Sequence, residues 1–322
     1  MPHTTPLARK AVAALVAVVS VVAVAGFSPA SAATVAKAST GVLTVPDGQI
    51  TSPATQNRNK RVAVRVLTQL YDRGNLKAAD RHIRADCIQH SPLIADGRTG
   101  TKNFVRDSRE SYPEQRYNIK RVMAQGDLVL VHANPVLVPG TRGVAVMDMF
   151  RFDARGQISE HWDTRQDVPA TTVNGNDMFG TVSNPDTNQP SGPRRQTAFS
   201  EEVVTEYFNN LLVQKNPEAV RYLTPEFYQH NPASPSGSGG LREQFAEFFG
   251  LYPDVEADLK RVIADKDYVA IHFRYRLTPE SADLSIMGIF RVVKRDGEYK
   301  IIEHWDVTQQ VPAASANDNT MF

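Results

Sequence analysis

The sequence predicts an α+β protein built from two tandem domains, and two observations carry that prediction. First, EHWDTRQDVPATTVNGNDMF at residues 160–179 returns at residues 303–322 as EHWDVTQQVPAASANDNTMF, with twelve of twenty positions identical. Second, apolar residues in each copy recur first at helical spacing and then alternate with polar ones. Helices followed by a run of strands are typical of an antiparallel sheet with helices packed on one face.

The repeat extends through most of the chain. NIKRVMAQGDLVLVH at 118–132 matches DLKRVIADKDYVAIH at 258–272, and VMDMFR at 146–151 matches IMGIFR at 286–291, both at an offset of 140 residues. A three-residue insertion then raises the offset to 143 for the last segment. Because such a period is the size of one domain and far too long for a solenoid repeat, the chain is predicted to be a duplicated domain.

The N-terminal segment differs from the rest. Arg9 and Lys10 precede the apolar run AVAALVAVVSVVAVAG, and Ala30-Ser31-Ala32 fits the small-residue rule for cleavage. These features predict a secretory signal peptide over residues 1–32 and a secreted protein with no membrane segment after cleavage. The expected boundaries are a flexible N-terminal tail at 33–55, a first domain at 56–180, a linker rich in proline and polar residues at 181–198, and a second domain at 199–322.

Each copy is expected to contain the same elements in the same order. An amphipathic helix opens it, marked by Val62, Val66 and Leu70 in the first copy and by Val204, Phe208 and Leu211 in the second. A short helix near 76–83 or 217–223, a strand ending in Gln-His and a third helix at 102–111 or 241–251 follow. The first copy then reads as a meander of four strands at 116–124, 128–138, 142–152 and 157–164.

Composition narrows the function classes. Hydrophobic residues make up 41% and charged residues 22% of the chain, as in a soluble globular protein. The formal net charge is +1, and removing residues 1–32 with their two basic side chains changes it to −1. Such a balance offers no attraction for nucleic acid or an anionic membrane. The single cysteine, Cys87, excludes an intramolecular disulfide and is expected to be a small buried hydrophobe.

Six of the eight histidines form three matched pairs: His90 with His230, His132 with His272, and His161 with His304. Catalytic imidazoles would produce this pattern because histidine titrates near neutral pH. Histidines that hydrogen-bond within a shared core would produce it equally well.

The EHWD strand carries one candidate acid–base pair. His161 and Asp163 are two residues apart and so point to the same face of the strand, while Trp162 points to the other. An aspartate beside a histidine can fix its tautomer and raise its basicity. We expect His161 and Asp163 to line a pocket; the alternative is a polar pair on the outer face of the sheet. His304 and Asp306 are the equivalents in the second copy.

Asp148 is the stronger candidate for an acid–base residue. It shares a strand face with apolar residues in VAVMDMFRF, and burial there would raise the pKa of its carboxyl toward neutrality. The second copy has Gly288 at this position, so the chemistry is expected mainly in residues 56–180. His132 is predicted to reach the same cavity. No metal-ligand spacing, cofactor fingerprint or redox cysteine pair is present, so no metal and no cofactor are predicted.

The motif string resembles a known family. QH-x-P, a helix ending in Tyr-Pro, KRV-x-A, EHWD with VP after it, and a final N-x-MF are similar to SnoaL-like proteins of the nuclear transport factor 2-like superfamily, in particular a bacterial group of predicted aldol-condensation enzymes. The resemblance covers both copies. It implies cone-shaped domains with a pocket between helices and a concave sheet, and polyketide cyclase-like chemistry without a cofactor. It also implies an intramolecular pseudo-dimer that pairs through the sheets and the tails, with further oligomerisation possible.

The leading hypothesis is therefore a secreted enzyme that moves a proton beside the carbonyl of a hydrophobic small molecule, as in aldol-type cyclisation or isomerisation. Asp148 or the His161–Asp163 pair would be the base, and His132 would assist them. The other expected substrate-binding residues are Gln89, His90, Trp162, His230, His272, His304 and Asp306. The alternatives are a binding module without turnover and a structural pseudo-dimer. Trp162 and Trp305 are also expected to be buried core anchors.

Overall fold

The structure is a computed structural model that describes residues 50–322. The predicted signal peptide and all but the last residues of the predicted N-terminal tail lie outside the described part of the chain. Within residues 50–322, none of the helices is both long enough and apolar enough to cross a membrane.

The first domain contains three helices and five strands. Helix α1 begins at Pro53, because the Ser52 hydroxyl accepts a hydrogen bond from the backbone N–H of Thr55 and caps the first turn. A turn of π-helix at Thr68–Asp72 continues it. The elements in order are α1 Pro53–Leu67, α2 Lys77–His82, β1 Ile83–Gln89, α3 Gly97–Ser111, β2 Arg116–Gln125, β3 Leu128–Val136, β4 Val144–Phe152 and β5 Ile158–Asp167.

The second domain repeats this order, which confirms the predicted tandem α+β fold. Short 3₁₀ turns at Arg194–Gln196 and Pro217–Tyr222 and a π turn at Asn209–Val213 replace or extend helices of the first copy. The other elements are α4 Thr197–Phe208, β6 Leu223–Gln229, α5 Ser238–Leu251, β7 Glu256–Asp265, β8 Tyr268–Arg276, β9 Leu284–Arg295 and β10 Glu298–Gln310.

Each domain holds one five-stranded sheet, with orders β1-β5-β4-β3-β2 and β6-β10-β9-β8-β7. The antiparallel meander is as predicted, but the first strand of each domain pairs in parallel with the last, which the strand pattern did not indicate. This parallel pairing sets Gln89 beside His161 and Gln229 beside His304. The two predicted polar segments of each copy therefore meet at one edge of the sheet.

The two faces of each sheet have different partners. One face packs under the helices of its own domain; in the first domain Val66 of α1 and Leu70 of the π turn share a core with Val131 and Phe150. The opposite faces of the two sheets share a single core, which includes Met147, Met149 and Trp162 from the first domain and Met287, Ile289 and Trp305 from the second. The predicted intramolecular pairing through the sheets is confirmed.

Reciprocal hydrogen bonds give this pairing a pseudo-twofold character. The backbone N–H of Arg165 donates to Oε1 of Gln309 at 2.9 Å, and the backbone N–H of Thr308 donates to Oε1 of Gln166 at 2.9 Å. Each of these glutamines occupies the same repeat position in its own copy. The same contact is therefore made twice with the roles of the domains exchanged.

The tails that follow β5 and β10 cross between the domains, as predicted. Asn176 in the first tail donates from Nδ2 to the carbonyl oxygen of Gln229 at 3.0 Å, and Asn319 in the second donates to that of Gln89 at 3.0 Å. Each tail thus binds the end of the first strand of the other domain.

Candidate functional sites

The strand register brings the predicted acid–base residues of the first domain together. In the antiparallel β4–β5 pair Asp148 lies opposite Asp163, and Phe150 lies opposite His161. Phe150 belongs to the core under the helices, and its ring stacks on that of His161 at 4.8 Å between centroids. Asp148, His161 and Asp163 therefore lie on the helix-covered face of the sheet, as expected.

These residues form a continuous hydrogen-bonded chain. Nε2 of His161 lies 3.1 Å from Oδ1 of Asp148, and Nδ1 of His161 lies 2.8 Å from Oε1 of Gln89. Gln89 in turn donates from Nε2 to the Thr101 hydroxyl at 3.0 Å, and the Tyr117 hydroxyl donates to the other oxygen of Asp148. Both ring nitrogens of His161 and both oxygens of Asp148 are therefore engaged within the protein.

Asp163 is the exception in this cluster. Its Oδ1 is buried and has no hydrogen-bond partner among the described residues. Burial, with a further contribution from the nearby charge of Asp148, raises the pKa of its carboxyl even though His161 acts in the opposite direction. Asp148, His161 and Asp163 could each offer a metal ligand atom, and these three atoms lie within 4.8 Å of one another. Two of the three already hydrogen-bond to each other, which a metal would have to break.

The second domain contains an apolar cavity where the first has this polar cluster. Gly288 stands at the position of Asp148, and Ala257 stands at that of Tyr117. The cavity has a volume of about 130 Å³. Its walls are mostly aromatic and aliphatic, and they include Tyr207, Phe208, Phe245, Phe248, Phe273 and Tyr275.

Two of the predicted residues, His304 and Asp306, line this cavity. Burial, with a contribution from His230, lowers the pKa of His304 to about 3, so the imidazole is neutral at physiological pH. Burial raises the pKa of Asp306 to about 6, although a hydrogen bond from Asn231 at 2.8 Å opposes the shift. Its Oδ1 is buried without a partner in the described part of the chain. The cavity thus holds a carboxyl that titrates near neutrality.

The first domain helps to build this cavity. Gln166, at the end of β5, is one of its lining residues. Asn174 of the first tail donates from Nδ2 to the carbonyl oxygens of Asn231 at 2.7 Å and Ser234 at 2.9 Å, and both of those residues also line the cavity. The loop that closes the cavity is therefore held by the other domain.

His132 does not reach the site of Asp148, and that expectation was wrong. It pairs with Met147 in the β3–β4 register and points between the two sheets, where Phe179 packs on its ring. Arg121 lies 2.9 Å from its Nδ1, and burial together with that charge lowers the pKa of the imidazole well below its usual range. His272 is buried in the matching position of the second domain.

His90, His230 and Trp162 also lie between the sheets rather than in a ligand cavity, which corrects their expected placement. The His90 ring stacks on Trp162 at 4.8 Å, and its Nε2 lies 3.0 Å from Glu160. His230 makes the equivalent contact with Glu303 at 2.7 Å. The prediction that Trp162 is a buried core anchor is confirmed, since its side chain has no exposed surface.

Sequence reasoning missed Tyr117 and the cavity-lining residues Gln166 and Asn231. For Tyr117 a signal was available. The two copies differ at two positions that meet in space, Tyr117 against Ala257 and Asp148 against Gly288, and both differences occur together. For Gln166 no signal exists in the sequence, because only the pairing of the domains brings it to the cavity.

Comparison with known proteins places these features in a family. The sequence model described as SnoaL-like domain matches the chain twice, at residues 64–161 and 204–304. No curated protein matches the chain.

Solved structures that match are similar to single domains of this chain. A candidate polyketide cyclase from Acidithiobacillus ferrooxidans is 21% identical, with 34% of this chain and 87% of that chain covered and a TM-score of 0.29. A candidate ketosteroid isomerase from Kribbella flavida is 19% identical over 36% of this chain and 82% of its own, with a TM-score of 0.31. A SnoaL-like protein from Burkholderia thailandensis is 14% identical over 36% and 98%, with a TM-score of 0.30.

Proposed function

Since this chain belongs to the SnoaL-like domain family over both of its domains, we propose that it binds a small apolar carbonyl compound in the cavity of the second domain and moves a proton on it. This reaction class covers the isomerisation and aldol-type cyclisation that the sequence suggested. It would be carried out without a cofactor by side chains of this chain.

One observation carries the proposal: Asp306, with a pKa of about 6 and an unpartnered carboxyl oxygen, lines an apolar cavity of about 130 Å³. A general base works best when its pKa is near the working pH, and an apolar cavity with few convergent polar groups is the usual form of a small-molecule site. At pH 7 the carboxyl is mostly ionised and can accept a proton from carbon next to a carbonyl.

Two tyrosines can donate a hydrogen bond to the carbonyl oxygen of the substrate. Burial raises the pKa of Tyr207 and Tyr275 above the usual range, so both hydroxyls stay protonated and can donate hydrogen bonds. Both residues line the cavity, and the hydroxyl of Tyr275 is buried without a hydrogen-bond partner among residues 50–322. A donor to the carbonyl oxygen would stabilise the enolate that forms when Asp306 takes the proton.

The first domain is assigned a supporting role in this proposal. Asp148 and His161 hydrogen-bond to each other, and their remaining polar atoms hydrogen-bond to Tyr117 and Gln89. A substrate would have to displace Tyr117 or Gln89 to reach them. Asp163 retains a free oxygen, and the experiment therefore includes a variant in each domain.

The test is the exchange of the α-protons of cyclohexanone in deuterated water, followed by proton NMR. The full chain should accelerate exchange with an inflection near pH 6, and Asp306→Asn should lower the rate by about 10²-fold or more. Asp148→Asn is the matched variant in the first domain and should retain exchange. Loss with Asp148→Asn and not with Asp306→Asn would place the chemistry in the first domain. Binding of cyclohexanone without exchange would favour the binding module.

We also propose that the protein is exported, on the basis of the charge, apolar run and cleavage pattern of residues 1–32. N-terminal sequencing of protein from the culture medium should begin at Ala33. A protein that keeps the apolar run would contradict export with cleavage.

A further inference from the structure

A glutamine clamp fixes which nitrogen of His304 faces the cavity. Oε1 of Gln229 accepts hydrogen bonds from the backbone N–H groups of His230 at 3.0 Å and Asn231 at 2.9 Å. The amide cannot be reversed, because its NH₂ group would then face two donors. Nδ1 of His304, 2.8 Å from the same oxygen, must therefore carry a proton and donate it.

The neutral imidazole has only one proton, so Nε2 of His304 is a hydrogen-bond acceptor. This nitrogen has no hydrogen-bond partner among the described residues. It is not one of the fully buried unpartnered atoms, so part of its surface stays accessible. Phe290 stacks on the ring at 4.4 Å between centroids and limits its rotation. Besides the Asp306 carboxyl, the cavity therefore presents an oriented acceptor on His304, which a ligand without a donor group would leave unused.

The first domain shows what such a nitrogen binds. Nε2 of His161 has the carboxyl oxygen of Asp148 as its partner at 3.1 Å. In the second domain Gly288 removes that carboxyl, and a Cβ atom built there would lie 3.2 Å from Nε2 of His304. The space beside Nε2 is therefore the space that Asp148 fills in the other copy.

We propose that the carbonyl compound bound by the second domain has a single ring and also carries a hydroxyl group, and that this hydroxyl donates to Nε2 of His304 in the place that Asp148 takes in the first domain. This inference rests on the proposed function, since it concerns the same cavity. A cavity of about 130 Å³ is close to the engineered cavity of about 150 Å³ that holds benzene, so one six-membered ring fits and a fused ring system does not. An anionic ligand is disfavoured because Asp306 lies in the same cavity and His304 is neutral.

The test compares phenol, toluene and benzoate by calorimetric titration of the full chain at pH 7. Phenol and toluene have nearly the same shape, so the difference between them isolates the hydroxyl. Phenol should bind about tenfold more tightly than toluene, the usual effect of one hydrogen bond to a buried acceptor. Benzoate should bind more weakly than either.

Two variants locate the effect. His304→Phe keeps a ring and leaves Gln229 its two backbone donors, so toluene binding should persist while the tenfold preference for phenol disappears. Gly288→Asp should abolish phenol binding, because its carboxyl occupies the place of the hydroxyl; its melting temperature reports whether the fold is kept. Asp148→Asn is the control in the first domain and should leave the affinities for phenol and toluene unchanged.

The outcomes separate this inference from the proposed function. Equal binding of phenol and toluene by the wild-type protein would overturn the hydroxyl assignment while leaving the apolar cavity as a binding site. Benzoate binding more tightly than phenol would overturn it in favour of an anion site. Failure of all three compounds to bind would overturn both the hydroxyl assignment and the proposed function of the cavity. A phenol preference that survives His304→Phe would place the acceptor elsewhere.

Discussion

At the scale of single residues, the two tryptophans show how the duplicated sequence stabilises the contact between domains. Trp162 is fully buried, and the Arg261 guanidinium of the other domain lies 3.9 Å from its ring centre. Trp305 is covered in the same way by Arg121 at 3.8 Å. Each arginine thus stacks on the tryptophan ring of the opposite copy. The delocalised cation of the guanidinium is attracted to the face of the aromatic ring.

Truncation of either tryptophan should be strongly destabilising. Trp162→Ala is expected to lower the free energy of unfolding by about 3–5 kcal/mol, because it leaves a large cavity in the shared core. Trp305→Ala should cost about 1 kcal/mol more, since Nε1 of Trp305 donates to the carbonyl oxygen of Gly180 at 2.7 Å while Nε1 of Trp162 has no partner in the described structure. Urea unfolding measures both, and an unchanged midpoint for Trp162→Ala would contradict the role of the ring.

The carboxyl of Asp306 predicts a pH dependence of stability. Its pKa is about 6 in the folded protein and ordinarily 3.8, so folding favours the protonated form. The stabilisation is fully present below about pH 4 and is lost as the pH rises through 6. Asp306→Asn, which cannot ionise, should therefore raise the melting temperature at pH 7 by more than it does at pH 4. His304 is present in both proteins and largely cancels. A difference independent of pH would show that the folded carboxyl is not perturbed.

At the scale of elements, the crossed tails act on the loops beside the two sites. In the second tail the backbone N–H of Ala316 donates to the carbonyl oxygen of Pro92 at 2.8 Å, and Nδ2 of Asn317 donates to those of Ser91 at 2.7 Å and Ile94 at 2.8 Å. The first tail makes matching contacts with Pro232, as through the backbone N–H of Val173. Each loop is thus stabilised by a segment that its own domain does not contain.

Removing the second tail should loosen one loop and leave the other unchanged. Truncation after residue 315 is expected to increase amide hydrogen exchange at residues 91–96 at least several-fold, because local opening no longer breaks these hydrogen bonds. Residues 231–236 provide the internal control, since the first tail still holds them. Asn174→Ala, which removes the hydrogen bonds of the first tail to Asn231 and Ser234, should give the reverse pattern. Equal exchange of both loops after truncation would mean that the tail does not hold its loop.

At the scale of the whole molecule, the two domains share a core that neither can cover alone. The sheet faces that meet contain Met147, Met149 and Met287, all without exposed surface. A separated domain would expose this face together with an unsatisfied tail, and exposed apolar patches of that kind favour association.

Residues 50–180 expressed alone should therefore form a homodimer. The two copies present the same face to each other, and the tails carry the same VP and N-x-MF motifs, so one copy can replace the second domain. Light scattering after size-exclusion chromatography should give twice the monomer mass. Met149→Asp, which places a charge in the contact, should shift this fragment to monomer or to unfolded chain. A folded monomer without that substitution would contradict the shared core.

Much of the architecture could be predicted from the sequence. The offset of 140 residues established the duplication, and the change from helical to alternating periodicity gave the order of helices and strands. Alternation also placed His161 with Asp163, and His304 with Asp306, on common faces, because successive residues of a strand point to opposite sides.

Only the tertiary structure decided what covers each face. Periodicity is the same for a face under helices and a face against another sheet, so it could not tell that Asp148 points to the first and His132 to the second. The parallel pairing that sets Gln89 beside His161 joins residues far apart in the chain. The cavity of the second domain likewise depends on Gly288, Ala257 and a loop held by the other domain, because empty space results from several elements packing together and no single segment encodes it.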